Sequence, residues 1–208
     1  MQRRGPYIAA VAAVVVLTLA FLRQQQNRQA APPQAGAGNP PAVGIQIPEP
    51  SCAYFRVPGR EFPAQVTEIR DADDLVINCR DSNGTAHRVV VRLAEIDAPE
   101  WGQPYHDVAK AFLSEKALGN EVVIRFREIN DYRFSGGICR IVGWVRLRDG
   151  TDVSRLLLRR GLAWHYEEYS ESKEELNAIQ QQARSARLGL WAEDNPIPPW
   201  DYRHGVRR

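Results

Sequence analysis

Tyr7 to Leu22 is an unbroken apolar run of 16 residues behind Arg3 and Arg4. It has no polar face with which to sit against a soluble core, so it reads as a membrane-directed segment whose basic end stays on the cytoplasmic side. The run is shorter than the roughly 20 residues that span a bilayer as a straight helix. Thr18-Leu19-Ala20 offers a small-residue cleavage site, but Phe21 and Leu22 follow it. Residues 1–23 are therefore expected to be a retained anchor, with a cleaved signal as the alternative. From Gln24 the chain turns to Gln, Ala, Pro and Gly, with Pro32-Pro33 and Pro40-Pro41 and few large apolar side chains. Such a stretch cannot bury enough surface to fold, and residues 24–60 are expected to form a disordered linker. Of 208 residues, these two features leave 61–203 for one folded domain, with 204–208 as a basic tail.

The formal net charge is only +2, so bulk electrostatics do not by themselves announce a polyanionic partner. Distribution says more. Between Glu121 and Arg160 stand nine arginines against five acidic residues, with no lysine. A planar guanidinium matches phosphate oxygens in pairs, although a chain that uses arginine far more than lysine throughout gives the same count without a phosphate surface. Three cysteines, Cys52, Cys79 and Cys139, permit at most one internal disulfide, and spacing does not choose the pair. No spacing among them suits a zinc site.

Within 61–203 the periodicity predicts strands over Ala64 to Arg70 and Asp74 to Cys79. Asn83-Gly84 then marks a hairpin into a third strand, Arg88 to Leu93. The two-residue period places Val89, Val91 and Leu93 on one face and Arg88, Val90 and Arg92 on the other. A helix is expected from Pro104 to Leu118, with Val108, Ala109, Phe112 and Leu113 on its apolar stripe and Gly119 as its stop. Strands over Glu121 to Arg127 and Arg140 to Leu147 follow. A short helix is expected from Val153 to Arg160, and a longer one from Ser172 to Leu188 opened by a Ser172/Glu175 capping box. The fold class is α+β, mainly β. Five short strands, antiparallel in character, make a small OB-like β-barrel with about three flanking helices, preceded by the apolar N-terminal helix and the linker.

The segment Val91 to Glu100 concentrates the chemistry: a strand delivers Arg92, and a turn fixed by Pro99 delivers Asp97 and Glu100. Asp71-Ala72-Asp73-Asp74, at the bend between the first two strands, adds carboxylate oxygens. A site of carboxylates and a backbone carbonyl, without histidine or thiolate, suits calcium or magnesium rather than zinc. Arginines beside such an ion point to phosphoryl chemistry, where extra negative charge must be stabilised, and a free carboxylate can orient or deprotonate the attacking water. Taken singly, Asp71, Asp74 and Glu95 read as solvated turn residues, Trp144, Trp164 and Trp191 as packing residues, and Arg203 to Arg208 as a disordered tail.

From Ala64 to Arg203 this pattern resembles the staphylococcal nuclease (thermonuclease) family. The resemblance is carried by Ile69 to Val76, Arg92 to Glu100, Gln103-Pro104-Tyr105, Asp149-Gly150, Gly161-Leu162-Ala163-Trp164 with Tyr166 and Tyr169, Gly189-Leu190-Trp191 and Pro198-Pro199-Trp200. It implies a barrel enzyme that hydrolyses DNA and RNA with Ca2+ and leaves 3′-phosphate ends. On that likeness Asp73, Asp97 and the Ala98 carbonyl hold the calcium ion, Glu100 handles the attacking water, and Arg92 and Arg140 grip the phosphate. Arg133 competes with Arg140 for that role, and Tyr166 and Tyr169 are candidate substrate contacts. Two departures stand out. The family's Asp-Gly-Asp-Thr is Asp71-Ala72-Asp73-Asp74 here, and its Tyr-Gly-Arg is Ile138-Cys139-Arg140. The expectation is a monomeric endonuclease outside the cytoplasmic membrane, acting on DNA and/or RNA. The alternative is a nucleic-acid or protein binding module, catalytically weakened, on the same fold.

Overall fold

The structure is a computed structural model and describes residues 57–131 and 138–206. The anchor segment, most of the linker and Arg133 lie outside these residues. No helix among the described residues is long and apolar enough to cross a membrane.

Five strands close into a barrel in the order β1 (Glu61–Ile69), β2 (Asp74–Arg80), β3 (Ala86–Leu93), β6 (Cys139–Leu147), β5 (Glu121–Asp131). The expected meander is present, and in β3 Val89, Val91 and Leu93 are buried while Arg92 faces partly outward, but the alternation of burial breaks at Val90, which shares the Arg92 face and is buried as well. The wholly antiparallel expectation is corrected at one seam. β3 pairs with β6 in parallel, Val91 opposite Ile141, because the crossover through α1 (His106–Ala117) and β5 returns the chain in the direction of β3. Parallel direction is a property of this long return and leaves no mark on local periodicity.

The barrel is filled by Val66, Leu75, Ile77, Val91, Leu93, Ile124 and Ile141. One end is plugged by Leu113 of α1, by Leu157 and Leu158 of α2 (Val153–Arg159), and by Leu176 of α3 (Lys173–Ser185). In α1 the apolar stripe runs through Ala109, Leu113 and Ala117, with His106 at its start. Val108, expected on that stripe, is 55% exposed. The expected capping box at Ser172 does not form: no side chain caps α3, and Glu175 is taken by Arg155, at 2.6 and 2.7 Å. The long helix expected to Leu188 ends at Ser185, and a 3-10 turn follows at Gly189–Ala192. Here Gly161 and Gly189 cross so closely that a Cβ on Gly161 would sit 2.1 Å from the Leu188 carbonyl oxygen. Both also hold positive φ, 62° and 53°, so glycine is demanded twice over.

A second, two-stranded sheet positions the chemistry: β4 (Ile96–Asp97) pairs with β7 (Trp164–His165), Asp97 opposite Trp164. The bend between β3 and β4 is Glu95, held at φ 68°. Read as a solvated turn residue, Glu95 is instead 3% exposed. Its carboxylate accepts hydrogen bonds from Trp144 Nε1 (2.7 Å), Glu171 N (2.7 Å), Ser172 N (3.0 Å) and Ser170 Oγ (3.2 Å). Burial pushes its pKa upward, but the donors from Trp144, Glu171, Ser172 and Ser170 outweigh that and leave it below the ordinary glutamate value. Trp144 in turn carries the Arg125 guanidinium 3.5 Å from its ring centre.

A carboxyl group with a lowered folded-state pKa adds stability above the unfolded-state value, and that stability fades as pH falls through the folded one. Glu95→Gln, which loses the charge but keeps the shape, is expected to destabilise the fold by about 1–3 kcal/mol at pH 7. Thermal melts should show the gap between variant and parent narrowing as the pH is lowered below about 4.5.

Candidate active site

Three loops bring the charged residues together. The first is the bend before β2, drawn tight by hydrogen bonds from Arg70 N and Asp71 N to the Asp74 carbonyl (2.9 and 3.0 Å). Asp71 is no free turn residue either: its side chain takes Ala72 N at 2.8 Å and His106 Nε2 at 2.8 Å. Ala72, where the family has glycine, is fully buried. The bend is pinned to β3 by Leu93 N, which donates to the Asp73 carbonyl at 2.8 Å.

The second loop is β4 with the turn after it. Asp97 is completely buried, and its carboxylate is gripped from two sides. Arg92 Nη2 lies 2.7 Å from Oδ1, while Arg203 lies 3.1 Å from Oδ1 through Nη1 and 2.7 Å from Oδ2 through Nη2. Arg92 Nη2 also reaches Asp73 Oδ2 at 3.2 Å, and Ala98 N is 3.4 Å from the same oxygen. Glu100 pairs with Arg203 Nη1. Its backbone N–H donates to Gln103 Oε1 at 2.7 Å, which fixes the turn after Pro99.

The third loop is the C-terminal segment. Gln103 Nε2 donates to the Ile197 carbonyl at 3.0 Å, and α4 (Pro199–Arg203) then carries Arg203 inward. Trp200 of α4 stacks against Tyr166 at 5.5 Å and meets Trp164 edge-on at 5.8 Å. The tail expected to be disordered from Arg203 onward is thus corrected: Arg203 ends a docked helix and turns its guanidinium to Asp97 and Glu100, and Val206 N still bonds the Asp201 carbonyl at 3.1 Å. Pro199 at the first helical position followed by Trp200 was the available signal for an ordered helix.

Arg140 stands one strand away. Its Nη2 grips both oxygens of Asp74 at 2.9 and 2.7 Å, Nη1 reaches Asn130 at 2.9 Å, and its buried Nε has no partner among the described residues. Asp74, which stands where the family has threonine, is therefore an arginine partner and not a solvated turn residue. The extra negative charge is neutralised beside the site and does not add to it. Tyr166 and Tyr169 lie 5.2 Å apart, with Tyr169 about half exposed. The structure thus joins Asp73, Arg92, Asp97 and Glu100 in one cluster, adds Arg203, and sets Arg140 next to it through Asp74.

Burial pushes the Asp97 carboxyl above its ordinary range and Asp73 adds to the push, against the pull of the Arg203 hydrogen bonds and the Arg92 charge. Asp74 is raised in the same way, by burial and Asp73, against Arg140. Asp73, with Asp97 and Asp74, holds Arg92 firmly protonated, and hydrogen bonding to Asp97 does so for Arg203. Four carboxylates (Asp73, Asp74, Asp97, Glu100) face three guanidinia (Arg92, Arg140, Arg203), leaving one net negative charge. The donors are oxygen alone, which fits a hard divalent ion with water completing its shell. Among the described residues no three acidic, histidine or cysteine side chains close on a single point.

Cys79 is a free thiol inside the barrel, where burial pushes its pKa up to about 11; Cys139 is disulfide-bonded.

Residues 90–193 match the family described as Staphylococcal nuclease homologue. An "uncharacterized endonuclease" of Escherichia coli is 33% identical over 144 residues, covering 69% of this chain and 86% of that protein. A micrococcal nuclease of Shigella flexneri is 29% identical over 173 residues, 80% of this chain and 90% of its own. A probable staphylococcal-like nuclease of Oryza sativa is 35% identical over 132 residues, and there the match spans only 38% of the longer plant protein.

Asp74 is the residue to probe for charge balance. Because its folded pKa is already raised, its ionised form is a liability that is absent below its unfolded value near 4 and full above its folded one. Arg140→Ala is expected to cost about 2 kcal/mol at pH 7 and much less at pH 4, with Asp74→Asn in the same chain recovering most of the loss. Denaturant melts of both variants at the two pH values check this.

Proposed function

Because this chain belongs to the staphylococcal nuclease homologue family, we propose that it is a calcium-dependent endonuclease that hydrolyses phosphodiester bonds of DNA and/or RNA outside the cytoplasmic membrane and leaves 3′-phosphate ends. That it is a nuclease follows from the family. The finer statements are our reading of its residues and of the apolar segment Tyr7 to Leu22 behind Arg3 and Arg4. The observation that carries the reading is the convergence of Asp73, Arg92, Asp97 and Glu100 on one partly open cluster, with Arg92 lying within 3.2 Å of both aspartates.

In this reading Asp73, Asp97 and the Ala98 carbonyl hold the calcium ion, which would supply positive charge to a phosphoryl oxygen. Arg92, about a quarter exposed, presents its remaining donors to the phosphate, where charge builds in the transition state. Glu100, about a third exposed and held by the Gln103 turn, accepts the proton of the attacking water or aims it in line. Arg140 serves the other side of the phosphate. To do so it turns its fork from Asp74, or uses the Nε donor that Asp74 and Asn130 leave unpaired. Tyr166 and Tyr169 flank the cluster beside α4 and offer ring faces to nucleobases.

Purified protein is expected to cut single-stranded DNA with calcium and to stop when a chelator is added. Glu100→Gln should reduce kcat by about 10²-fold or more, and Arg92→Ala comparably. Gel assays with end-group analysis of the products check the activity and the 3′-phosphate. Retained cutting by Glu100→Gln would remove that residue from its role, and binding without turnover in every condition would leave the weakened binding module instead.

A further inference from the structure

Arg203 lies ten residues beyond the family match at 90–193, yet it makes three hydrogen bonds within the cluster. Its Nη1 and Nη2 take both oxygens of Asp97, at 3.1 and 2.7 Å, and Nη1 also pairs with Glu100. The side chain is not a loose surface arginine that happens to fall inward. Its helix is fixed on three sides: by Gln103 Nε2 on the Ile197 carbonyl, by Trp200 between Trp164 and Tyr166, and by the Tyr202 hydroxyl over Gly102, where a Cβ would meet it at 3.1 Å. Gln103 is a shared post, since its carbonyl oxygen also takes the Glu100 N–H at 2.7 Å.

On the reading that Glu100 handles the attacking water, we infer that Arg203 is a positioning residue of the reaction centre. It cross-links the buried Asp97 carboxylate to the side chain of Glu100 and so fixes where that carboxylate points. Asp97 cannot move, being completely buried and paired with Trp164 across β4 and β7. A fork that holds Asp97 through two bonds therefore transmits that rigidity to Glu100, which is about a third exposed and would otherwise sample several rotamers. Only an arginine does this, because the three bonds need donors spread over two nitrogens in one plane. The C-terminal segment is thus a working part of the enzyme, acting through Glu100 and touching no reacting atom itself.

The test is a double-mutant cycle in the full chain, cutting single-stranded DNA with calcium, alongside calorimetric titration with calcium alone. Arg203→Ala is expected to lower kcat about tenfold or more with KM changed by less than about threefold, and Arg203→Lys to recover only part of the loss. In the Glu100→Gln background, removing Arg203 should cost less than about threefold more, since its effect passes through Glu100. Calcium affinity should move by less than about tenfold. Independent, multiplying losses overturn the inference. So does Arg203→Ala with kcat intact, and so does a much larger gain in calcium affinity, which would mean the guanidinium merely stands where the ion belongs. If Arg203→Ala is unfolded in thermal melts, the lysine variant, which keeps the charge and loses the fork, decides by the same cycle. A parent protein that cuts nothing sinks the nuclease reading and this inference with it; a parent that cuts while the cycle is additive sinks this inference alone.

Discussion

A fully buried carboxylate needs its charge answered on the spot, and Asp97 has that answer from two directions. Arg92 comes from the barrel wall and Arg203 from the end of the chain, so the side chain ties β3 to α4 across more than a hundred residues of sequence. Much of the remaining architecture keeps these three groups in register. β7 holds the backbone of Asp97, Glu95 sets the bend that aims β4, and Gln103 fastens the turn after Pro99 to the segment that leads into α4. Burial opposes ionisation here, and the guanidinia keep the charged form in place. A polar cluster of this kind specifies one arrangement more than it adds net stability, because each group left alone is expensive.

The three carboxylates read as incidental from sequence, Asp71, Asp74 and Glu95, all have partners, for one reason. They lie in or next to bends, Asp74 as the first residue of β2, where acidic residues are usually solvated, and nothing nearby in sequence announces their partners. Glu95 is answered by Trp144, by the Ser170 hydroxyl and by the backbone N–H groups of Glu171 and Ser172; Asp74 is answered by Arg140, two strands over. Such pairings depend on the barrel closing, and closure depends on the parallel contact of β3 with β6. A pattern of alternating apolar residues reports which side of a strand is buried; it does not report which strand will lie beside it, or in which direction.

The same distinction separates what was legible in the site from what was not. Asp73, Arg92, Asp97 and Glu100 fall on two short segments whose order is itself the signal, and the barrel closes them into one cluster as the strand-turn reading requires. The five strands and three longer helices were legible too, with errors at their ends. Val108 was misassigned because the buried row is His106, Ala109, Leu113 and Ala117, spaced three and four apart, and Val108 lies about 100° round the helix from Ala109. Arg203 was lost to a prior that chain ends fray. Its evidence was present in Pro199 and Trp200, a helix-starting residue and a large ring that would not be left in water, but the target of the helix lay a hundred residues upstream.

The departure at Asp74 also changes how the charge of the site should be counted. Against the family's threonine, the additional carboxylate would deepen the pull on a divalent ion if it stood alone. Held to Arg140 through both oxygens, it instead makes a neutral pair that borders the cluster, and it draws on an arginine that the phosphate also needs. On the proposed roles substrate would compete with Asp74 for Arg140, whereas Arg92 spends one nitrogen, Nη2, on Asp73 and Asp97 and is about a quarter exposed. The two arginines that the resemblance assigns to opposite sides of the phosphate are thus held differently. Arg92 is fixed between Asp73 and Asp97, and Arg140 is held by a carboxylate whose own ionisation burial disfavours. Moving Arg140 from Asp74 to a phosphate would leave a largely buried carboxyl without its partner, a cost that the phosphate contact would have to offset.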